Sequence, residues 1–141
     1  MSMYRTNQCG RQSTSLELPD IVHMKLVGDC TLEECRQLNQ AHLDYAKEVS
    51  YFFYWIDMTE LEDLPAAVRR EASATVKLLP VRGTVVFNAP LRARVLAKLL
   101  LTAANLFRSG PEKNPVMFAD NEEEARRHFE KWRREISAEA A

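Results

Sequence analysis

The chain contains few glycines and few cysteines. Four glycines and three cysteines occur in 141 residues, and the glycines are scattered. A loop that cradles a phosphate needs closely spaced glycines, so a nucleotide-binding loop of that kind is excluded. The cysteines Cys9, Cys30 and Cys35 are odd in number and form no C-x-x-C pair. We therefore interpret them as free thiols in a reducing cytoplasm.

The sequence also lacks an excess of charge of either sign and a long apolar run. Its formal net charge is −1, which leaves no basic footprint for nucleic acid or for an anionic membrane surface. No apolar run approaches the roughly 20 residues that a membrane span needs. The first residues carry no apolar signal-peptide core. We therefore expect a cytoplasmic protein with no nucleic-acid partner and no membrane span.

Recognisable catalytic and metal-binding motifs are missing as well. The sequence contains no serine nucleophile elbow, no H-E-x-x-H and no P-loop. The histidines do not converge, because His23 lies in a predicted strand and His42 on the apolar face of a predicted helix. Cys30, Cys35 and His42 do not have the spacing of a zinc site. We therefore predict a protein that is not an enzyme and that uses no cofactor or metal.

An apolar, aromatic run at the middle of the chain organises the rest. The run is Tyr51-Phe52-Phe53-Tyr54-Trp55-Ile56-Asp57-Met58, and it is apolar on both alternating faces until Asp57. Such a run predicts a strand that is buried on both faces and covered by helices above and below. Asp57 then lies at the carboxyl end of that strand, where open α/β sheets place their ligand and partner sites.

Strand patterns alternate with helix patterns around this run. We predict strands over 15–18, 21–27, 51–58, 84–87 and 116–119. The second of these strands places Ile21, His23, Lys25 and Val27 on one side. The first strand would pair with it as a hairpin at or near the edge of the sheet.

Four helices follow from the remaining patterns. Thr31 and Glu34 have the spacing of a capping box, so the first helix should begin there and run to about residue 49. Asp63 can cap a second helix over 64–79. A third helix is predicted over 91–107, and Asp120 or Asn121 can cap a last helix that ends near residue 136. Its buried stripe would be formed by Ala125, Phe129, Trp132 and Ile136.

Together these patterns predict one α/β domain with a mostly parallel, mixed sheet. About five strands would be covered by about four helices. We place the domain at 15–136, with a disordered N-terminal segment at 1–14 and a short tail at 137–141.

The order of these elements resembles a known family. The segments that carry the resemblance are Gly28-Asp29-Cys30-Thr31-Leu32-Glu33-Glu34, Trp55-Ile56-Asp57, Thr84-Val85-Val86-Phe87, Arg94-Val95-Leu96-Ala97-Lys98 and Val116-Met117-Phe118. In this order and spacing they resemble the STAS domain and, more closely, its SpoIIAA-like branch, a STAS and CRAL-TRIO-like group. The resemblance implies a bacterial, STAS-like regulatory or protein-interaction module that is not an enzyme. The CRAL-TRIO likeness implies the alternative, a carrier that binds a lipid or another apolar ligand.

One feature of the classical family is missing here. Classical anti-sigma-factor antagonists carry a serine that is phosphorylated at the start of the helix after the central strand. The corresponding segment here is Asp63-Leu64-Pro65-Ala66-Ala67, which has no hydroxyl group, and Ser73 lies too far into the helix. We therefore predict that the protein is not switched by phosphorylation at this position.

Four carboxylates cluster after the central strand. Asp57, Glu60, Glu62 and Asp63 could act as an acid–base pair or hold Mg²⁺. However, a strand holds only Asp57 in place, Glu60 and Glu62 are predicted to lie on a loop, and Asp63 is predicted to cap a helix. We therefore expect neither catalysis nor a metal here, and we assign the cluster to a partner or ligand surface.

The predicted third helix is apolar around most of its circumference. Its polar stripe consists of Arg94, Lys98, Thr102 and Asn105, and Leu101 borders that stripe. An apolar arc this wide exceeds what a helix needs to cover one sheet. Three interpretations stay open: a helix buried on nearly all sides, a surface for a partner or a second copy, and the wall of an apolar ligand pocket.

These arguments define one predicted partner or ligand surface at the carboxyl end of the sheet. It comprises Asp57, Thr59, Glu60, Asp63, Asn88, Arg94, Lys98 and Leu101. The last helix carries a separate basic face, which consists of Arg126, Arg127, Lys131, Arg133 and Arg134. Because Glu123–Arg127 and Glu130–Arg134 have i,i+4 spacing, we predict that this face is solvated and held by pairs within the helix.

Overall fold

Six strands form one mixed sheet. The computed structural model describes residues 4–92, 94, 95, 98 and 114–140. The strands are β1 (Tyr4–Cys9), β2 (Gln12–Glu17), β3 (Ile21–Asp29), β4 (Phe52–Asp63), β5 (Val81–Phe87) and β6 (Val116–Ala119). They lie across the sheet in that order. β1, β2 and β3 pair antiparallel, whereas β3 to β6 pair parallel. The predicted α/β fold with a mixed sheet is therefore confirmed, with one more strand than expected.

Helices cover both faces of the sheet. The helices are α1 (Leu32–Tyr45), α2 (Ala66–Val76) and α3 (Glu122–Ala140). α1 and α2 pack on one face, and α3 packs on the other. The predicted helix over 91–107 has helical backbone at positions 91, 92, 94, 95 and 98, and its remaining residues lie outside the described part of the chain. No described helix is long and apolar enough to cross a membrane.

The central strand β4 is buried on both faces, as predicted. Phe52, Tyr54 and Ile56 point toward α1 and α2, whereas Phe53 and Trp55 point toward α3. β4 is longer than the predicted strand, because its pairing with β3 continues through register shifts as far as Asp63. Glu60 and Glu62 therefore lie on a strand and not on a loop.

The N-terminal residues differ from the prediction of a disordered segment over 1–14. Tyr4–Cys9 and Gln12–Glu17 form a hairpin that extends the sheet beyond β3. Hydrogen bonds to residues far along the sequence hold the hairpin in place. The Glu34 carboxylate accepts from the backbone N–H of Arg11 at 2.8 Å. Gln12 donates its side-chain N–H to the carbonyl of Val27 at 3.1 Å. A local sequence pattern predicts such polar residues to be loop, because it contains no information about partners more than ten residues away.

The start of α1 follows the predicted capping box, whereas the start of α2 does not follow its prediction. Thr31 Oγ1 accepts from the N–H of Glu34, and Glu34 Oε1 accepts from the N–H of Thr31, at 3.1 Å and 2.9 Å. Asp63 stays in β4, where its Oδ1 accepts from the adjacent N–H of Leu64, so the predicted cap is wrong. Pro65 takes the N-cap position of α2 without a side-chain bond. α1 and α2 also end earlier than predicted, at Tyr45 and Val76.

α3 is longer than predicted and is bound to the sheet by charged pairs. Asn121 Oδ1 accepts from the N–H of Glu124 at 2.8 Å, which confirms the Asn121 alternative for the cap. Its predicted apolar stripe faces the sheet, with Ala125, Phe129 and Trp132 buried and Ile136 partly buried. The helix continues to Ala140, so the predicted tail at 137–141 is helical to that residue.

Two arginines of the predicted basic face of α3 have partners on the sheet side. Arg126 donates to both oxygens of Glu17 at 3.1 Å. Arg133 donates to Asp20 at 2.6 to 3.1 Å. Glu17 and Asp20 are both buried. The basic face is therefore not purely a solvated face, because these two arginines bind buried carboxylates more than 100 positions away in the sequence.

Candidate functional site

The carboxyl ends of β4 and β5 meet at the predicted surface. Asp57 Oδ1 accepts from the backbone N–H of Thr59 at 3.0 Å and from its hydroxyl at 2.7 Å. The Thr59 hydroxyl oxygen also lies 3.4 Å from the carbonyl oxygen of Asn88. The structure therefore brings Asp57, Thr59 and Asn88 together, as parallel neighbouring strands require.

Asn88 begins a tight connection out of β5. Its φ of 52° lies in the left-handed region, which asparagine tolerates better than most residues. Its N–H donates to the carbonyl of Ala119 at 2.8 Å, and Arg94 Nε donates to the carbonyl of Ala89 at 3.0 Å. Arg94 also lies 3.4 Å from the Asp120 carboxylate. The connection is thus held by hydrogen bonds to β6 and to the start of the predicted third helix.

Glu60 and Asp63 do not join the Asp57 group. Lys25 Nζ lies 3.0 Å from Glu60, and Arg92 lies 3.9 Å from Asp63. Both pairs are largely exposed, so each contributes little to stability. Within the described residues, no three His, Cys, Asp or Glu side chains are placed to hold a metal ion. Asp57, Glu60 and Asp63 therefore each have a different partner.

Two more predicted residues, Arg94 and Lys98, lie beside β6. The guanidinium carbon of Arg94 lies 5.1 Å from the centre of the Phe118 ring, and the Lys98 ammonium lies 5.7 Å from it. Leu101 lies outside the described residues. Leu91 and Val95, one helical turn apart, are 79% and 53% exposed. Exposed apolar side chains therefore accompany the polar residues at this end of the sheet.

A second recess, which the sequence did not single out, lies on the α3 face of the sheet. It is an open groove of about 270 Å³ that runs from the β1–β2 hairpin across β3 to Phe87 of β5. The strand register places two rows of side chains on this face. One row contains Ser13, Lys25, Asp57 and Phe87, and the other contains Thr6, Ser15, His23 and Trp55. The predicted alternation of β3 already put His23 and Lys25 on one side, and a strand over 15–18 was predicted beside them, but β1 was not expected.

One wall of the groove is a charged network. His23 Nε2 lies 2.9 Å from Glu17 Oε1, and Arg126 binds the same carboxylate. The Arg126 guanidinium also covers the Trp55 ring at 5.1 Å. Burial lowers the pKa of His23, and its hydrogen bond to the Glu17 carboxylate opposes that shift without cancelling it. His23 is therefore neutral at pH 7.

The opposite face of the sheet contains a buried polar relay. The Thr14 hydroxyl donates to the carbonyl of His23 at 2.6 Å, so its oxygen accepts from His42 Nε2–H at 2.9 Å. His42 Nδ1 then accepts from the Tyr54 hydroxyl at 2.9 Å. Burial lowers the pKa of His42 to about 3. The relay is fully paired and internal, so it stabilises the core and offers no reactive group to solvent.

An apolar cavity lies next to this relay. It occupies about 50 Å³ between α1, α2 and the sheet, and its lining includes Leu38, Met58 and Val68. Cys30 and Cys35 also line it, and burial raises the pKa of these two thiols to about 12 and about 11. Both thiols are therefore protonated at neutral pH, and all three cysteines are free thiols, as predicted.

Comparisons with known proteins identify the fold. No family model matches the chain, and no curated protein matches it. A solved structure that is similar to this chain is an uncharacterised protein of the DUF3478 family with a SpoIIAA-like fold from Shewanella loihica PV-4. The two share 16% sequence identity with a TM-score of 0.55, over 89% of this chain and 93% of that one. The chain therefore has a SpoIIAA-like, STAS-like fold, as the resemblance implied.

Proposed function

We propose that the protein is a STAS-like regulatory or protein-interaction module of the cytoplasm and not an enzyme. Its working surface would be the carboxyl end of β4 and β5, together with the start of the predicted third helix. The observation that carries this proposal is the exposure of Leu91 and Val95 beside the Asp63–Arg92 pair. An apolar patch with a charged rim is typical of a protein interface. The occupant would be a protein partner or a second copy of the chain.

Recognition at this surface would not depend on a kinase acting at the start of α2. Pro65, Ala66 and Ala67 are exposed there, and none of them has a hydroxyl group. Thr59 is nearby, but its hydroxyl already donates toward the Asp57 carboxylate. A phosphate at Thr59 would face that negative charge. A phosphosite mapped to residues 59–67 in the native host would contradict this part of the proposal.

We rank the apolar-ligand carrier below the interaction module. The apolar cavity between α1, α2 and the sheet is about 50 Å³. That volume equals roughly two water molecules in the liquid, which is far below the room that an acyl chain needs. This cavity therefore does not favour a lipid carrier.

The chain offers a matched pair of variants to test the surface. Leu91 and Leu78 are 79% and 77% exposed, but Leu91 follows the carboxyl end of β5 and Leu78 precedes its amino end. If the chain binds a second copy of itself, we expect Leu91→Glu to abolish the self-association that analytical ultracentrifugation detects. If it binds another protein, we expect Leu91→Glu to abolish the stoichiometric cross-link to that partner in native-host extract. Leu78→Glu should leave either complex intact, because it places the same charge at the opposite end of the sheet.

Circular dichroism of both variants serves as the folding control. Equal loss of the complex in Leu78→Glu and Leu91→Glu would contradict the proposed surface. A wild-type protein that is monomeric at high concentration and captures no stoichiometric partner would contradict the module itself.

A further inference from the structure

The groove on the α3 face presents its chemical groups in a fixed order. Ser13 is the register partner of Lys25, Lys25 of Asp57, and Asp57 of Phe87. Neighbouring strands lie about 4.8 Å apart, so these four side chains follow one another at about that spacing. A ligand that crosses the row meets a hydroxyl, an ammonium, a carboxylate and a phenyl ring in turn.

The two charged members of this row retain binding capacity. The Lys25 ammonium has three donors and is half exposed, and its ion-pair partner among the described residues is Glu60 at 3.0 Å. The hydrogen bond that the Lys25 ammonium donates to Glu60, with the nearby charges of Glu60 and Asp57, raises the pKa of Lys25, so the ammonium stays charged. The backbone N–H and the hydroxyl of Thr59 both donate to one carboxylate oxygen of Asp57. Among the described residues, no donor lies within hydrogen-bond distance of the other oxygen. Each charge can therefore take a ligand group of the opposite sign.

The size and the walls of the groove restrict the ligand further. Its volume of about 270 Å³ corresponds to roughly nine water molecules in the liquid. That volume lies just below the usual range for drug-sized ligands, so a single small molecule fits better than a nucleotide or a lipid. Thr6, Ser13 and Ser15 contribute hydroxyl groups at the hairpin end, and Phe87, half-buried, contributes an apolar surface at the other. The groove is thus polar at one end and apolar at the other.

We propose that this groove binds a free amino acid with an aromatic or large apolar side chain. The carboxylate of the ligand contacts Lys25 and the Ser13 hydroxyl, its ammonium contacts the free oxygen of Asp57, and its side chain packs on Phe87. A zwitterion satisfies the adjacent opposite charges of Lys25 and Asp57 together, which an acid or an amine alone does not. The groove shares Asp57 with the predicted interaction surface, but its contacts Ser13 and Lys25 lie on β2 and β3, outside that surface. The inference therefore does not require the proposed partner.

The test is a two-dimensional NMR titration of the folded, full-length chain with L-phenylalanine. Two single-charge analogues, 3-phenylpropanoate and 2-phenylethylamine, serve as comparisons. We expect saturable shifts at the amides of Lys25 and Asp57 and at the Trp55 indole N–H. The dissociation constant should be on the order of millimolar, as for a small, weakly enclosed ligand. Each analogue lacks one charged contact and should bind about tenfold more weakly.

Three variants separate the groove from non-specific binding. Lys25→Gln and Asp57→Asn should each weaken L-phenylalanine binding about tenfold, because each removes one charge-assisted contact. Lys47→Gln is the matched control: Lys47 is an exposed lysine paired with Asp44 at the end of α1, and its loss should change nothing. The amide spectrum of each variant verifies its fold. The absence of saturable shifts, equal binding of the three compounds, or an equal effect of Lys47→Gln would overturn the proposal.

Discussion

The two faces of the sheet are built in different ways. On one face, α1 and α2 cover a large apolar cluster that extends from Cys9 of β1 to Ala89 after β5. On the other face, α3 covers a small aromatic cluster around Phe53, Trp55 and Phe129. Two arginine–carboxylate pairs, at Glu17 and Asp20, hold α3 at its margin. α1 and α2 cover the first face, whereas the second face leaves a groove open from the β1–β2 hairpin to Phe87 of β5.

The difference shows how a small domain can leave part of a sheet face exposed for a ligand. The apolar face needs no charged fastening, because burial of its large cluster provides the driving force. The α3 face has fewer apolar side chains, and its buried carboxylates must be paired to be tolerated. Glu17 both holds α3, through its bond to Arg126, and orients His23 at the groove wall. A polar sheet face can thus remain exposed beside a well-packed helix.

The largest expected effect comes from the aromatic cluster beneath α3. Trp55→Ala should lower the free energy of unfolding by about 3–5 kcal/mol, because it empties a large site between His23, Phe87 and Phe129. Urea unfolding measures the change. Leu78→Ala, at a side chain that is 77% exposed, should stay within about 0.5 kcal/mol of the wild type. A loss below about 1 kcal/mol for Trp55→Ala would mean that the α3 face is not packed as described.

A smaller effect tests whether charged pairs really fasten α3. Arg133→Met should cost about 1.5–3 kcal/mol, because it leaves the buried Asp20 carboxylate without its charged partner. The Tyr51 hydroxyl, at 2.9 Å, would remain as a donor to Asp20 and limits the loss. Chemical unfolding of Arg133→Met can be compared with Arg134→Met, the exposed neighbour. Equal stability of the two variants would show that the pair at Asp20 contributes nothing.

Measured over a single pH unit, the smallest effect concerns the buried relay beneath α1. The folded pKa of His42 is about 3, below its ordinary value of 6.5, because burial disfavours the imidazolium. The unfolded chain therefore binds a proton first as the pH falls. As the pH falls from about 6.5 to about 3, His42 should lower the free energy of unfolding by at most about 1.4 kcal/mol per pH unit.

Urea midpoints measured across this pH range should show a shallower pH dependence for His42→Gln than for the wild type. His128→Gln, on α3, is the control with one histidine fewer. If the pH dependence of stability were the same in His42→Gln as in the wild type, His42 would not be neutral and buried. The face under α1 and α2 would then not differ from the α3 face in this respect.

Local patterns in the sequence determined the central part of this protein. The unbroken apolar run predicted the doubly buried β4, the Thr31–Glu34 spacing predicted the start of α1, and the apolar stripe predicted the buried side of α3. The carboxyl end of the sheet followed from strand direction, so Asp57, Thr59 and Asn88 could be placed together. These features depend on side-chain periodicity and on neighbours within a few positions, which the sequence displays directly.

Only the tertiary structure decided the remaining features. β1 and the first half of β2 are polar and were predicted to be disordered, because their partners Glu34 and Val27 lie far along the chain. Arg126 and Arg133 had acceptable partners within their own helix, and only folding revealed buried carboxylates more than 100 positions away. The groove needs the register of four strands at once. A charge or a hydroxyl can pair locally or at a distance with similar chemistry, so its partner is set by the packing of the apolar elements around it.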